Sequence, residues 1–312
     1  MLDTKRLKLL REVARQGSFS AAADALYLSQ SAVSQQIATL EREVGARLLD
    51  RTRSGPKLTD AGRVLVRHAD AVIARLDEAE RELDALAGLE GGELRMASFA
   101  TASAAILTEA ISVFHGRHPR VLLSVTEAEP EQALPKLLAG EIDLALVFDY
   151  AWLPGEPSRD LDHRLLLEES MSLVMPATHP LASRERVRVS DFSDSDWLCG
   201  ARPSSCGEIV IRACREAGFD PRIGFESDDY NVLQGYVAAG LGFTLMPEIA
   251  LINLRSDLVA RPIVPEGPKR RIWASSRADG ARSLATDAML GILDEIGSGF
   301  ATAAGSRRLA AA

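Results

Sequence analysis

The chain has 312 residues, 46% of them hydrophobic and 26% charged, with a formal net charge of −8. That length exceeds one ordinary core and predicts two or three, and the mixed composition excludes a fibrous or largely disordered chain. No apolar run reaches the roughly 18 to 20 residues that cross a bilayer. Met1 to Arg6 carry charge with no apolar signal core behind them, so a cytoplasmic protein is expected. The charge is unevenly placed: residues 1–68 hold 12 Lys and Arg against 7 Asp and Glu, leaving −13 for the rest. This predicts a small basic module joined to a larger acidic body. The three cysteines, Cys199, Cys206 and Cys214, are odd in number and share one segment, which suits a reducing compartment better than a disulfide framework. Their C-x6-C-x7-C spacing matches no common zinc site, and no metal or other cofactor is expected.

In chain order, Leu7, Leu10, Val13 and Ala14 recur at helical spacing, so a helix is predicted from about 4 to 15, closed by Gly17. Ser18 offers an N-cap to a second helix, Phe19 to Leu26, whose alanines allow close approach. Ser29 then caps a third, from about Gln30 to Val44, with Val33, Ile37 and Leu40 on its apolar stripe. Two short helices and a tight turn, the second helix bearing a polar uncharged face, make a helix-turn-helix pattern. Gln and Ser suit base edges, since they both donate and accept hydrogen bonds. Residues 48–58 read as two extended pieces around a Ser-Gly-Pro turn, a β-wing carrying Arg51, Arg53 and Lys57.

The run Gly17-Ser-Phe-Ser-Ala-Ala-Ala, then Leu28-Ser-Gln-Ser-Ala-Val-Ser-Gln-Gln-Ile, then Leu58-Thr-Asp-Ala-Gly62 resembles the LysR-type transcriptional regulators. Ser31 stands where that family usually has proline, Leu49 where an aromatic is usual near the wing, and Gln35 where a basic residue is common. The resemblance implies double-stranded DNA as a partner. Gln30, Ser34, Gln35 and Ser31 are expected at bases, and Ser18, Ser20, Arg51, Arg53 and Lys57 at phosphates.

Thr59 is expected to cap a long helix to about Ala87, a rod of roughly 43 Å with Val64, Val72, Ile73, Leu76 and Leu83 along an apolar seam. Such a seam calls for a partner, most simply a second copy, and Gly88, Gly91 and Gly92 break the helix. Beyond it strands and helices alternate, which predicts an α/β body with parallel sheet and right-handed crossovers. Gly140-Glu-Ile-Asp-Leu-Ala-Leu, His179-Pro-Leu-Ala182 and Val237 to Pro247 resemble the effector domain of the same regulators. The expected organisation is a winged helix-turn-helix over 1–58 and a linker, dimerisation helix over 59–88. A two-lobed, periplasmic-binding-protein-like effector domain would follow over 92–300, and a disordered tail over 301–312. Lobe I is placed at about 92–160 and 268–300, lobe II at about 161–267. The resemblance further implies homodimers paired into tetramers and contact with RNA polymerase.

Ligands of two-lobed α/β bodies bind near strand C-termini and helix N-termini, where free amides favour anions. The candidate effector residues are Ser98, Ala100, Thr101, Val147 and Phe148 from lobe I, and Ser204, Ser205, Cys206, Phe225, Tyr230 and Thr244 from lobe II. A carboxylate is the expected effector class. One alternative is a redox sensor using Cys206 at a helix N-terminus, where a thiolate gains stability; the cysteine spacing is one residue shorter than in the peroxide-sensing member of the family. Another is a solute-binding protein, disfavoured by the winged-helix text and the missing signal peptide. An enzyme is not expected: no P-loop or HExxH occurs, the five histidines are scattered, and Asp228-Asp229 reads as a helix cap.

Overall fold

The computed structural model describes residues 2–26, 28–52, 55–86, 92–153, 155, 158–278 and 282–310. The chain divides into two compact units, one holding Met1–Leu89 with Leu138–Glu141 and the other Glu90–Leu137 with Ile142–Ala312. Expectations that fell on Arg53 and on the glycines at 88 and 91 lie outside the described residues.

The first unit contains α1 (Thr4–Gln16), α2 (Phe19–Ala25), α3 (Gln30–Val44), β1 (Leu49–Thr52), β2 (Gly55–Leu58) and α4 (Asp60–Leu86). Each of the first three helices starts on a side-chain cap: Asp3, Ser18 and Ser29 accept hydrogen bonds from the amides of Lys5, Ala21 and Ala32. Leu10, Val13, Ala22, Ala23, Val33, Ile37, Leu40 and Leu48 form one apolar core, the alanines letting α2 lie close to its neighbours. Glu41 accepts from the amides of Leu48 (2.8 Å) and Leu49 (3.2 Å), which fixes where the wing begins. β1 and β2 then pair antiparallel, Leu49 opposite Leu58 and Arg51 opposite Pro56. Thr59 donates to the carbonyl of Arg47 (2.7 Å) and accepts from the amide of Gly62 (3.0 Å), so it caps α4 and ties it to the wing. Leu7 packs on Ala69 and Ile73 of α4, whereas Val64, Val72 and Leu76 are exposed.

The second unit opens with β3 (Gly92–Ser98), then α5 (Ala100–Ala102), a π-helical turn (Ser103–Leu107) and α6 (Thr108–Arg117). It continues through β4 (Val121–Glu127), α7 (Pro130–Leu138), β5 (Leu144–Tyr150) and β6 (Leu161–Pro176). After these come β7 (Asp196–Cys199), α8 (Ser205–Glu216), β8 (Arg222–Glu226), α9 (Tyr230–Ala238) and β9 (Thr244–Pro247). The last elements are β10 (Leu258–Pro262), β11 (Lys269–Arg277) and α10 (Leu284–Ala310). β3 pairs in parallel with β4 and β5, as strand–helix alternation predicts. The sheet is mixed, however: β11 lies antiparallel between β5 and β6.

The strand β6 serves both lobes. Leu161 to Ser170 pair with β11 in the first lobe, and Met171 to Pro176 pair with β9 and β10 in the second. The change of partner falls at Met171, inside the span expected for lobe II. A strand that crosses without a turn residue leaves no punctuation in the sequence. The chain returns to the first lobe where Met171 donates to the carbonyl of Pro268 and Lys269 pairs with Ser170. Over the stretch expected as a disordered tail, α10 runs on through residues 301–310. Its alanine-rich text favours helix where no side chain forces another conformation.

Candidate functional site

Two polar surfaces stand out, one in each unit. On α3 the stripe Val33, Ile37 and Leu40 is buried against α1 and α2, so the opposite face looks outward. Gln30, Ser31 and Gln35 are exposed on this helix and Ser34 is partly buried. The Ser31 hydroxyl lies 3.0 Å from that of Ser29. Ser18 uses its hydroxyl to cap α2, with Ser20 exposed beside it. Lys57 is exposed on β2, while Arg51 sits in β1 opposite Pro56. Arg6 of α1 was not foreseen: its Nε donates to Gln36 Oε1 (3.0 Å) and its guanidinium pairs with Glu43.

The second surface lies where the lobes meet. Arg270, at the start of β11, and Glu169, in β6, are each only 1% exposed and 2.7 Å apart. Glu169 also accepts from the amide of Ile249 (2.8 Å) in the second lobe, and Arg270 donates to the Thr101 hydroxyl (3.2 Å) in the first. The guanidinium lies over the rings of Phe99 and Phe148, about 5 Å from their centroids. Burial alone would pull this guanidinium's pKa down, but the facing Glu169 holds it above the ordinary value. Tyr150, at the end of β5, reaches across with its hydroxyl 3.6 Å from Cys206 Sγ on α8. Burial raises the pKa of both Tyr150 and Tyr230. Nearby, Glu131 of α7 accepts from the amide (3.3 Å) and hydroxyl (3.4 Å) of Ser205, a first-lobe carboxylate on a second-lobe helix N-terminus.

Thr101, Phe148, Ser205, Cys206 and Tyr230 thus gather around Arg270, Tyr150 and Glu131. The other candidates are placed differently. Ser98 is fully buried and donates to the carbonyl of Phe99. Ala100 is exposed at the start of α5, and Ser204 caps α8. Val147 packs with Ala97, Ala145 and Leu161 on the α7 side of the sheet. Phe225 is exposed with its ring on Tyr236, and Thr244 is buried with its hydroxyl lacking a hydrogen-bond partner among the described residues. Glu129, Glu131, Tyr150, Glu169 and Arg270 were missed. For the buried pair a signal existed, because Arg270 is in phase with buried Ile272 and Ala274, and Glu169 with Leu167 and Met171.

Burial pushes the Glu129 carboxyl up to about 7, with Asp228 and Glu131 adding like charge against the opposing Arg270. A carboxyl raised in the folded state contributes stability that is present below its unfolded value of 4.5 and lost as pH rises through about 7. Glu129→Gln is therefore expected to raise the melting temperature at pH 8 and to flatten its fall between pH 5 and 8. Thermal melts across that range that leave the two curves parallel would contradict this.

The redox alternative gains no support from the thiols. Burial pushes Cys206 up to about 11 and Cys214 to about 12, so neither is held as the thiolate that reacts with oxidants. Among the described residues no group of His, Cys, Asp and Glu is arranged for a metal ion, and no helix is long and apolar enough to cross a membrane.

A winged helix-turn-helix joined through a long helix to a two-lobed α/β unit defines a DNA-binding regulator with a ligand-binding body. The model of the LysR substrate binding domain matches residues 87–297, and that of the bacterial regulatory helix-turn-helix proteins of the lysR family matches residues 4–63. The chain belongs to the LysR family of transcriptional regulators. A relative from Trichormus variabilis, described as a probable RuBisCO transcriptional regulator, is 28% identical over 288 residues, 91% of this chain and 85% of its own. Among solved structures, a full-length OxyR variant from Pseudomonas aeruginosa superposes with a TM-score of 0.70 at 21% identity, covering 95% of both chains. The regulator CbnR in complex with its target DNA gives a TM-score of 0.62 at 23% identity, covering 94% of this chain and 99% of its own.

Proposed function

We propose that the chain works as a homodimer, paired into tetramers, that reads DNA with α3 and the wing and changes its promoter contacts when a small molecule binds between the lobes. The observation that supports this most directly is the meeting of the lobes itself. Glu131 on Ser205 and Tyr150 on Cys206 are contacts from opposite lobes that a ligand entering there would replace. A ligand with different affinity for two lobe arrangements shifts their populations, which is all that control of DNA contacts requires. The effector class is a carboxylate, which would take the place of Glu131 at the amide and hydroxyl of Ser205. Contact with RNA polymerase would convert the shifted placement on DNA into transcription.

The test of the effector is a thermal-shift screen of small carboxylates, amines and neutral metabolites, followed by isothermal titration with Ser205→Ala. Carboxylates that bind the native protein and lose affinity in the variant are the expected result. Binding of cationic or neutral compounds alone would overturn the class.

The dimer reading rests on α4, whose exposed Val64, Val72 and Leu76 make an apolar seam. Leu76→Asp is expected to shift the sedimentation coefficient towards the monomer at micromolar concentration. A native protein already monomeric there would remove the dimer from the account.

A further inference from the structure

We propose that Gln35 reads an adenine in the major groove, so that each half-site carries an A·T pair facing this residue. The inference deepens the reading of α3 as the DNA-reading helix and rests on it. With Val33, Ile37 and Leu40 buried, a rotation of about 100° per residue centres the outward face on Ser31, Gln35, Ala38 and Arg42. Several neighbours are already engaged. Gln36 holds Arg6 through its Oε1 (3.0 Å), and Ser31 shares a hydrogen bond with the helix cap Ser29. The Arg42 guanidinium folds back on its own helix, donating to Thr39 Oγ1 (2.8 Å) and the Ala38 carbonyl (3.4 Å). Ala38 carries no hydrogen-bonding group. Gln35 is exposed, and its amide makes no hydrogen bond among the described residues. The Gln30 amide also makes no hydrogen bond among the described residues, but it lies on the flank of this face.

The chemistry then decides the base. A glutamine amide presents one donor and one acceptor side by side, the complement of adenine N6 and N7. Guanine offers two acceptors, O6 and N7, which would set the amide carbonyl against a carbonyl; a guanidinium suits guanine instead. A pair of matched hydrogen bonds of this kind discriminates by roughly tenfold or more. The family resemblance places a basic residue commonly at this position, so the glutamine is a departure with a readable consequence.

The experiment is selection from randomised duplex DNA with the full-length native protein, Gln35→Arg and Gln35→Ala, at fixed salt. The native protein is expected to enrich A·T at one position per half-site, Gln35→Arg to convert that position to G·C, and Gln35→Ala to leave it degenerate with the other positions kept. Roughly tenfold preference at that position, measured by titration of the selected site and its single-base variant, is the expected magnitude. An unchanged motif in all three proteins would overturn the assignment of Gln35 while leaving α3 as the reader. Absence of any enriched sequence with the native protein would overturn both. Because Gln35 is exposed, matching melting curves for the three proteins are expected and separate a lost contact from a lost fold.

Discussion

Arg270→Ala is expected to destabilise the second unit by about 3 to 5 kcal/mol, because it leaves the Glu169 carboxylate buried without its counter-charge. The two groups are 2.7 Å apart and 1% exposed, on the two strands where the chain crosses between lobes. Among the described residues Glu169 then keeps its bond from the Ile249 amide alone, and the hydroxyl of Thr101 loses its donor. The rings of Phe99 and Phe148 lose the cation above them. The pair itself need not add stability, since desolvating two charges offsets much of their attraction. Arg270→Met combined with Glu169→Leu is therefore expected to recover most of the loss. Denaturant melts of the native protein, the single variant and the double variant form the check. A single variant within about 1 kcal/mol of native would mean that water reaches Glu169 and that the pair does not tie the lobes.

Gly62→Ala is expected to abolish DNA binding while leaving the second unit folded. A methyl group built at Gly62 would collide with the carbonyl oxygen of Leu48 and sit 3.0 Å from the Leu58 side chain. That carbonyl is backbone, and it already accepts from the amide of Thr59, so the wing and the start of α4 must move apart. Overpacking costs about 1 to 3 kcal/mol in a well-filled core and more where backbone must yield. The unit that bears it has only a small core to spend. Hydrogen exchange of the full chain is expected to show faster exchange in α1 to α3 and unchanged protection in β3, β5 and β11. Equal loss of protection in both units would show that they do not fold as separate bodies.

The N-terminal unit was almost wholly legible because its caps, apolar stripes and closing glycines are local signals. Ser18, Ser29 and Gly17 mark ends that the structure confirms within a residue or so. The second unit was legible in class but not in its seams. β6 hides a change of lobe inside one strand, and β10 gave no signal of its own. The cleft was half legible. Thr101, Cys206 and Tyr230 follow from the rule that sites gather at element ends. Glu169 and Arg270 are single charges within charged stretches, Glu168-Glu169 and Lys269-Arg270-Arg271, and only alternation tells which of them turn inward. Glu131 and Ser205 are 74 residues apart, a pairing that topology alone brings about.

The measurement that bears most directly on the account is a DNase footprint of the full-length protein on the DNA flanking its own gene, repeated with residues 1–86 removed. A protected stretch of several helical turns, lost when the first unit is removed and altered by a compound found in the thermal-shift screen, is the predicted result. Protection that survives removal of the first unit, or no protection even at low salt where phosphate contacts are strongest, would contradict it.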